Sequence, residues 1–289
     1  MGDRVVVNTT AVDLGLGTGG WHVVHWNLAR DGWSAPGGGH VLKLRYTSLQ
    51  ADVGVTEERA PDLPTSLENL PVVVCDLHSQ VGPVAAAFAA VAPDRHLVYV
   101  MTDSAALPLA LSDLVADLRG RRLLTSTVTA GQAFGGDHEA VNVHAALLVA
   151  RMARAEAIVV APGPGTVGTG TWLGYGSLDA TNTIDAVTRL AGRPIVAVRY
   201  SEAEERPRHR GVSHHTRTAL SLAPRTAWVP YPAGFPEPDL SAGRHRLEPV
   251  EVPQFEVDVT TMGRGQGEDG AFFTWSAAAG VLAARMVSG

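Results

Sequence analysis

Five short apolar runs in the latter part of the chain constrain its fold more than any other feature. Residues 72–75, 96–101, 123–128, 157–161 and 194–200 are built mainly from Val, Ile, Leu and Ala, and they do not alternate with polar residues. A strand that is apolar on both faces has to be buried on both. The segments between and after the runs have helical character: 83–91, 108–118, 137–154, 178–190, 213–222 and 268–286. Strand–helix alternation of this kind predicts an α/β fold, a Rossmann-like and mostly parallel sheet flanked by helices on both faces. Residues 157–161 are expected to form its central strand. Residues 230–255, rich in proline and charge, read as a surface excursion.

The first sixty residues follow a different pattern. Residues 4–10, a stretch from Trp21 to Trp26, and 41–49 read as strands separated by the glycine turns 15–20 and 37–39. In residues 41–49, Leu42, Leu44 and Tyr46 would point one way and Lys43, Arg45 and Thr47 the other. We therefore expect a β-rich subdomain over 1–60, part of a small barrel with one basic face, followed by the α/β domain over 61–289. The boundary falls in a polar stretch carrying Pro61, Pro64 and Pro71 just before Val72.

The chain of 289 residues carries a formal net charge of -6, which argues against a nucleic-acid partner. Cys75 is its single cysteine, so no disulfide framework exists and a reducing cytoplasm is expected. The sequence shows no uninterrupted apolar run of the roughly 18 residues that a membrane span needs, and the first residues lack a signal-peptide pattern.

In open parallel sheets, ligands bind beyond the carboxyl ends of the strands. Here chemically capable residues follow each run directly. Asp76, His78 and Ser79 follow the first, and Asp103 and Ser104 the second. Gly131 to Gly136, then Asp137, His138 and Glu139, follow the third. The fourth leads into Gly163, Gly165, Thr166, Gly168, Thr169, Gly170 and Thr171. The fifth is followed by Arg206, Arg208, His209, Arg210, Ser213, His214 and His215. The alternative is that such loops are polar as connectors and that an Asp or Ser after a strand caps the next helix.

Residues 163–168 satisfy G-x-G-x-x-G, but Pro162 and Pro164 stiffen the turn and no well-placed acidic residue follows the next strand. The glycine loop reads instead as an anion cradle whose N–H groups approach a phosphate or carboxylate. Arg206, Arg208 and Arg210 are candidates to clamp that anion, with Lys43 and Arg45 reaching in from the β subdomain. Asp76, His78, Asp103, Asp137, His214 and His215 are the candidate acid, base or catalytic groups. Of these, Asp76, His78, Asp103, Asp137 and His214 are also candidate ligands of a divalent metal, although no pair has the H-E-x-x-H zinc spacing. Arg264, between two glycines, could reach the same place. Neither Ser79 nor Ser104 lies in a nucleophile elbow.

Several of these stretches occur together in a recognisable combination. Residues 7–28, 39–50, 101–115, 129–147, 163–171 and 208–216, with Met-Gly-Arg-Gly near the end, resemble a family of uncharacterised bacterial proteins, mainly actinobacterial, the domain of unknown function numbered 3866. The resemblance implies a bacterial cytoplasmic protein with more β structure upstream. It implies no activity and assigns no residue a role. The sequence then supports an enzyme acting on a small phosphorylated or carboxylated ligand, with a divalent metal as a possible helper. The alternatives are a non-catalytic module that senses a nucleotide or other anion, and a homo-oligomeric scaffold in which the glycine loops are packing devices.

Overall fold

A computed structural model describes residues 2–15, 21–104, 108–240 and 243–289. The chain divides into two compact units, residues 1–53 and 54–289.

The first unit holds two small antiparallel ribbons. Val5–Asn8 pairs with Val23–Asn27, and Leu42–Lys43 pairs with Ala51–Asp52. The expected strand over 41–49 is therefore only two residues long. Leu44 and Tyr46 adopt left-handed backbone, with φ of 52° and 63°, and this breaks the extended run. The expected facing also fails, because Lys43 is buried while Tyr46 is fully exposed. Of the glycine turn expected at 15–20, residues 16–20 lie outside the described residues.

The second unit is a three-layer α/β structure on an eight-stranded parallel sheet. We label its strands β1 (Pro71–Cys75), β2 (Leu97–Thr102), β3 (Ser126–Ala130), β4 (His138–Ala140), β5 (Ala157–Pro162), β6 (Arg193–Ala197), β7 (Trp228–Pro232) and β8 (Arg246–Val250). Its helices are α1 (Val81–Val91), α2 (Asp113–Gly120), α3 (Val143–Met152), α4 (Ala180–Arg189), α5 (His214–Leu222) and α6 (Gly270–Ser288). The spatial order is β8-β7-β6-β1-β5-β2-β3-β4. β5 lies between β1 and β2 in the middle of the sheet, as expected for the central strand, with Val73 opposite Val159 and Val98 opposite Ile158.

The two-sided burial read from the sequence comes from the strand period of two. Val73, Cys75, Tyr99 and Val159 face α1, α2 and α6. Val72, Val98 and Ile158 face α3 and α4, and Val74 and Val196 face α4 and α5. α6 runs for 19 residues with a mean hydropathy of 1.3, long and apolar enough to cross a membrane by those measures. Two thirds of it (67%) is buried inside the fold, so its apolar character is that of a core helix.

Two segments differ from expectation. Residues 137–154 are not one helix. Asp137 accepts hydrogen bonds from the Thr127 N–H and hydroxyl, which docks the chain beside β3 as strand β4, and Asn142 then caps α3 through the Ala145 N–H. Residues 230–255 are not a surface excursion. They supply β8 and most of β7, which extend the sheet with Val229 opposite Leu247.

Connectivity fixes where a ligand can enter. From β1 the chain crosses to α1 on one face. From its neighbour β5 it goes to α4 on the other. Adjacent strands whose connections leave in opposite directions open a crevice at their carboxyl ends. Leu77, Gly163, Arg199 and their neighbours lie at that edge.

Candidate functional site

At the end of β1, Gln80 shapes the crevice. Its Oε1 accepts from the N–H groups of Asp76, at 2.8 Å, and Leu77, at 3.0 Å, and its Nε2 donates to the Ala197 carbonyl at 2.9 Å. One fully buried amide thus ties the ends of β1 and β6 together. Gln80→Leu leaves three buried main-chain groups unpaired, at roughly 1–3 kcal/mol each. We expect it to destabilise the protein by about 3 kcal/mol or more in urea unfolding. A loss below about 1 kcal/mol would remove the clamp from this account.

Asp76 is 2% exposed and points to the α5 side, where it accepts from the Thr216 hydroxyl. Burial raises its pKa to about 6, against the opposing effects of the Thr216 hydrogen bond and the nearby Arg199 charge. Arg199, just past β6, is 5% exposed. Burial lowers its pKa to about 10 while Asp76 supports its charge. Its backbone N–H donates to Thr216 Oγ1 at 3.1 Å. Its guanidinium Nη1 lies 3.1 Å from His215 Nδ1. A guanidinium only donates, so Nδ1 accepts and the ring hydrogen of His215 sits on Nε2.

His215 is fixed on several sides. Its ring stacks on Tyr175 at 3.8 Å between centroids and 4° between planes, and the Tyr175 hydroxyl donates to the His215 carbonyl. Ser213 caps α5 by accepting from the His215 N–H and also contacts His209 Nδ1 at 2.7 Å. His209, His214 and His215 form one cluster whose ligand-capable atoms lie within 4.8 Å of one another. All three have lowered pKa values, first from burial and then from the surrounding charges, Arg199 among them. His209 falls to about 3 and His215 to about 2. They are neutral imidazoles at pH 7. His214 Nε2 is buried without a partner among the described residues.

The glycine loop is closed on itself at its far end. After β5 it makes a small hairpin in which Gly168 bridges Tyr175, and the Thr169 N–H donates to the Gly174 carbonyl. The Thr169 and Thr171 hydroxyls contact each other at 2.8 Å and close this turn, so they are not available for a ligand. Gly165 and Gly170 have left-handed backbone. A Cβ on Gly170 would press on the Arg208 guanidinium at 3.2 Å, and one on Gly168 would meet the Nε2 edge of His215 at 3.8 Å. Thr166 Oγ1 is buried without a partner among the described residues, as is Ser104 Oγ.

These groups enclose a cavity of about 60 Å³ walled by Thr166, Gly168, Gly170, Arg199, Arg208, His209 and His215, with Leu77, Val167, Arg206 and Met262 completing it. Arg206 is already committed: it makes a two-point pair with buried Glu204, at 2.8 and 2.7 Å, which holds that carboxyl at a pKa of about 2. Arg264 sits beside this pair, 3.5 Å from Glu204 and 3.3 Å from Asp269. Arg208 makes no ion pair among the described residues. Its charge and that of Arg199 face the cavity beside neutral histidines.

Other residues singled out in the sequence lie elsewhere. His78 turns to the opposite face, where Nε2 contacts the Ser112 hydroxyl at 2.6 Å and Nδ1 the Tyr99 hydroxyl at 3.1 Å. Burial lowers its pKa to about 4. Asp103 is exposed and accepts from the Gln132 N–H, which pins the loop after β3. Asp137 sits at the amino end of β3, paired with Arg119 at 2.8 Å, and Glu139 bonds the Thr129 hydroxyl and the Gly135 N–H. The metal set Asp76, His78, Asp103, Asp137 and His214 is therefore not brought together. Arg210 is exposed and does not line the cavity. Lys43 and Arg45 belong to the first unit, Lys43 buried and Arg45 exposed. Cys75 is a buried free thiol whose pKa is pushed up by burial.

The chain belongs to the family described as "Protein of unknown function (DUF3866)", whose model matches residues 1–280. No curated protein and no solved structure matches the chain.

Proposed function

We propose that the protein is an enzyme that holds the phosphoryl or carboxylate group of a small molecule in the cavity beyond β5 and β6. One observation carries this reading. A buried, charged arginine (Arg199) stands behind a neutral histidine whose N–H edge faces a small cavity, and an unpaired arginine (Arg208) stands at its mouth. Guanidinium groups and an imidazole N–H are donors only, so the cavity selects an acceptor with negative charge. Thr166 Oγ1, a buried hydroxyl of the cavity wall without a partner among the described residues, supplies a further polar contact. His214, neutral and unpartnered at Nε2 among the described residues, lies against His209 and His215 of the cavity wall, and we assign it the role of proton acceptor. Asp76 acts behind the cavity wall by sustaining the charge of Arg199. The free buried thiol and the net charge of -6 support a cytoplasmic setting and a small anionic partner, not a nucleic acid.

Calorimetric titration of the full chain with inorganic phosphate and with acetate tests the reading. At least one should bind, and Arg208→Ala, an exposed substitution, should weaken it tenfold or more. An absence of binding by both anions, or an unchanged affinity in Arg208→Ala, would sink the proposal. Turnover lost in His214→Ala with binding retained would support the enzyme over a sensor.

The three-histidine cluster favours a second reading, a divalent cation held by His209, His214 and His215. Two features oppose it. Arg199 donates to His215 Nδ1, which leaves a hydrogen on Nε2, and the nearby guanidinium charges repel a cation. Titration with zinc distinguishes the two: tight binding lost in His209→Ala favours the metal.

A further inference from the structure

The cavity has room for an anionic head group and little more. Its volume of about 60 Å³ accommodates about five water-sized groups at 10–15 Å³ each, the size of a phosphoryl group. Whatever the head group is attached to must leave through the mouth, where exposed apolar side chains stand beside Arg208. Two of its wall residues, Val167 and Met262, are 71% and 53% exposed. The glycine hairpin that touches Arg208 carries Trp172 at its tip, 63% exposed.

Met262 provides an independent observation. Thr261 and Arg264 exchange two backbone hydrogen bonds of 2.9 Å around a two-residue turn. Both central residues are left-handed, Met262 with φ of 49° and Gly263 with φ of 79°. This backbone is that of a type I′ turn, whose first central position is normally taken by Asn, Asp or Gly. A long unbranched apolar side chain is unfavourable there, and its exposure gains the fold nothing. Arg264, bonded to Glu204 and Asp269, and Thr261, bonded to Ser79, anchor the turn beside the cavity. A flexible thioether is well suited to pack on a planar ligand.

We propose that the ligand is a phosphate monoester whose ester group is planar and apolar, with the phosphoryl in the cavity and the ring packed between Met262 and Trp172. The proposal rests on the anion-site reading above and names its substrate class.

Calorimetric titration of the full chain with inorganic phosphate, methyl phosphate and phenyl phosphate tests it, in the wild type and in Met262→Gly/Trp172→Ala. Glycine suits the backbone at 262, and both side chains are exposed, so the variant should fold; thermal unfolding checks this. Phenyl phosphate is expected to bind at least tenfold tighter than methyl phosphate in the wild type. In the variant that advantage should shrink to about twofold, read as the ratio of the two ester affinities within the same protein. Equal affinity for the two esters in the wild type overturns the proposal and leaves the anion site standing. An advantage that survives in the variant overturns the placement of the ring. If none of the three phosphates binds, the phosphoryl site itself fails.

Discussion

Gly280→Val is expected to abolish folding. Gly280 lies in α6 where that helix crosses α1, and a Cβ there would collide with the Val84 carbonyl oxygen and stand 3.1 Å from the Phe88 N–H nitrogen. Both partners are helix backbone, which cannot turn aside as a side chain can. The crossing is lined by Ala277, Ala284, Val84 and Ala87, all buried, so the two helices are packed at the distance that only small residues permit. Overpacking in well-packed cores ordinarily costs about 1–3 kcal/mol. Here an entire 19-residue helix would have to move off the sheet, so the expected loss is larger, on the order of the whole stability of 5–15 kcal/mol typical of a domain. The check is expression with far-UV circular dichroism. A folded Gly280→Val protein with a melting temperature within a few degrees of the parent would show that the helices can separate cheaply. Gly120→Ala, in α2 where a Cβ meets nothing within 4 Å, serves as the control.

The second large effect is a loss of stability in acid. His78, His209 and His215 have pKa values of about 4, 3 and 2 in the folded protein. In the unfolded chain all three return to about 6.5. For lowered bases, stability is present above the unfolded value and is lost as pH falls below it. Asp76 acts in the other direction. Its folded pKa is raised to about 6, so its contribution is present below the unfolded value of about 3.9 and is lost as pH rises through 6. Between pH 6 and pH 4 the histidines therefore outweigh the carboxyl, three protons against one. Unfolding should take up about two protons, and stability should fall by about 2–3 kcal/mol per pH unit. His214 and His245 are lowered as well and add to the same trend. Urea unfolding at pH 7.5 and 5.5 gives the stability, and calorimetry in buffers of different ionisation enthalpy counts the protons. Stability that is flat or rises on acidification would mean that these imidazoles are more solvated than their burial indicates.

The parallel sheet was legible because β-branched residues on both faces of a strand admit few other environments. β1, β2, β5 and β6 could each be recognised in isolation. β4 could not, because His138–Ala140 is neither apolar nor long; its pairing depends on Asp137 finding Thr127 across a turn. β7 and β8 were hidden by Pro230, Pro232 and Pro249, which are tolerated in this end of the sheet although they read as breakers. The site was half legible. His214, His215, Arg208 and the glycine loop follow their strands directly, and the strand-end rule collects them. Arg199 was missed although it carried a signal: it is a lone charge inside the apolar run Val196 to Tyr200. His209 also follows its strand and falls under that rule, whereas Tyr175 and Gln80 had no signal, since nothing in their spacing foretells a ring stack or a two-strand clamp. Asp103, Asp137 and His78 satisfied the same rule as the site residues, yet each spends its hydrogen-bonding capacity on nearby loops or core groups.

The position of β5 also governs the order in which the chain can acquire its structure. β1 and β2 follow each other in sequence but never pair, because a strand made some sixty residues later separates them. Until residues 157–162 leave the ribosome, β1 and β2 each carry an open apolar edge, and each can be satisfied wrongly by pairing with the other. β6, which brings Arg199, can add to β1 only after that, and α5 with its histidines later still. Synthesis from the N-terminus therefore passes through a long stage in which half the sheet exists and its middle is vacant. The cavity is among the later features to form, because its walls come from the loops after β1, β5 and β6 and from the start of α5.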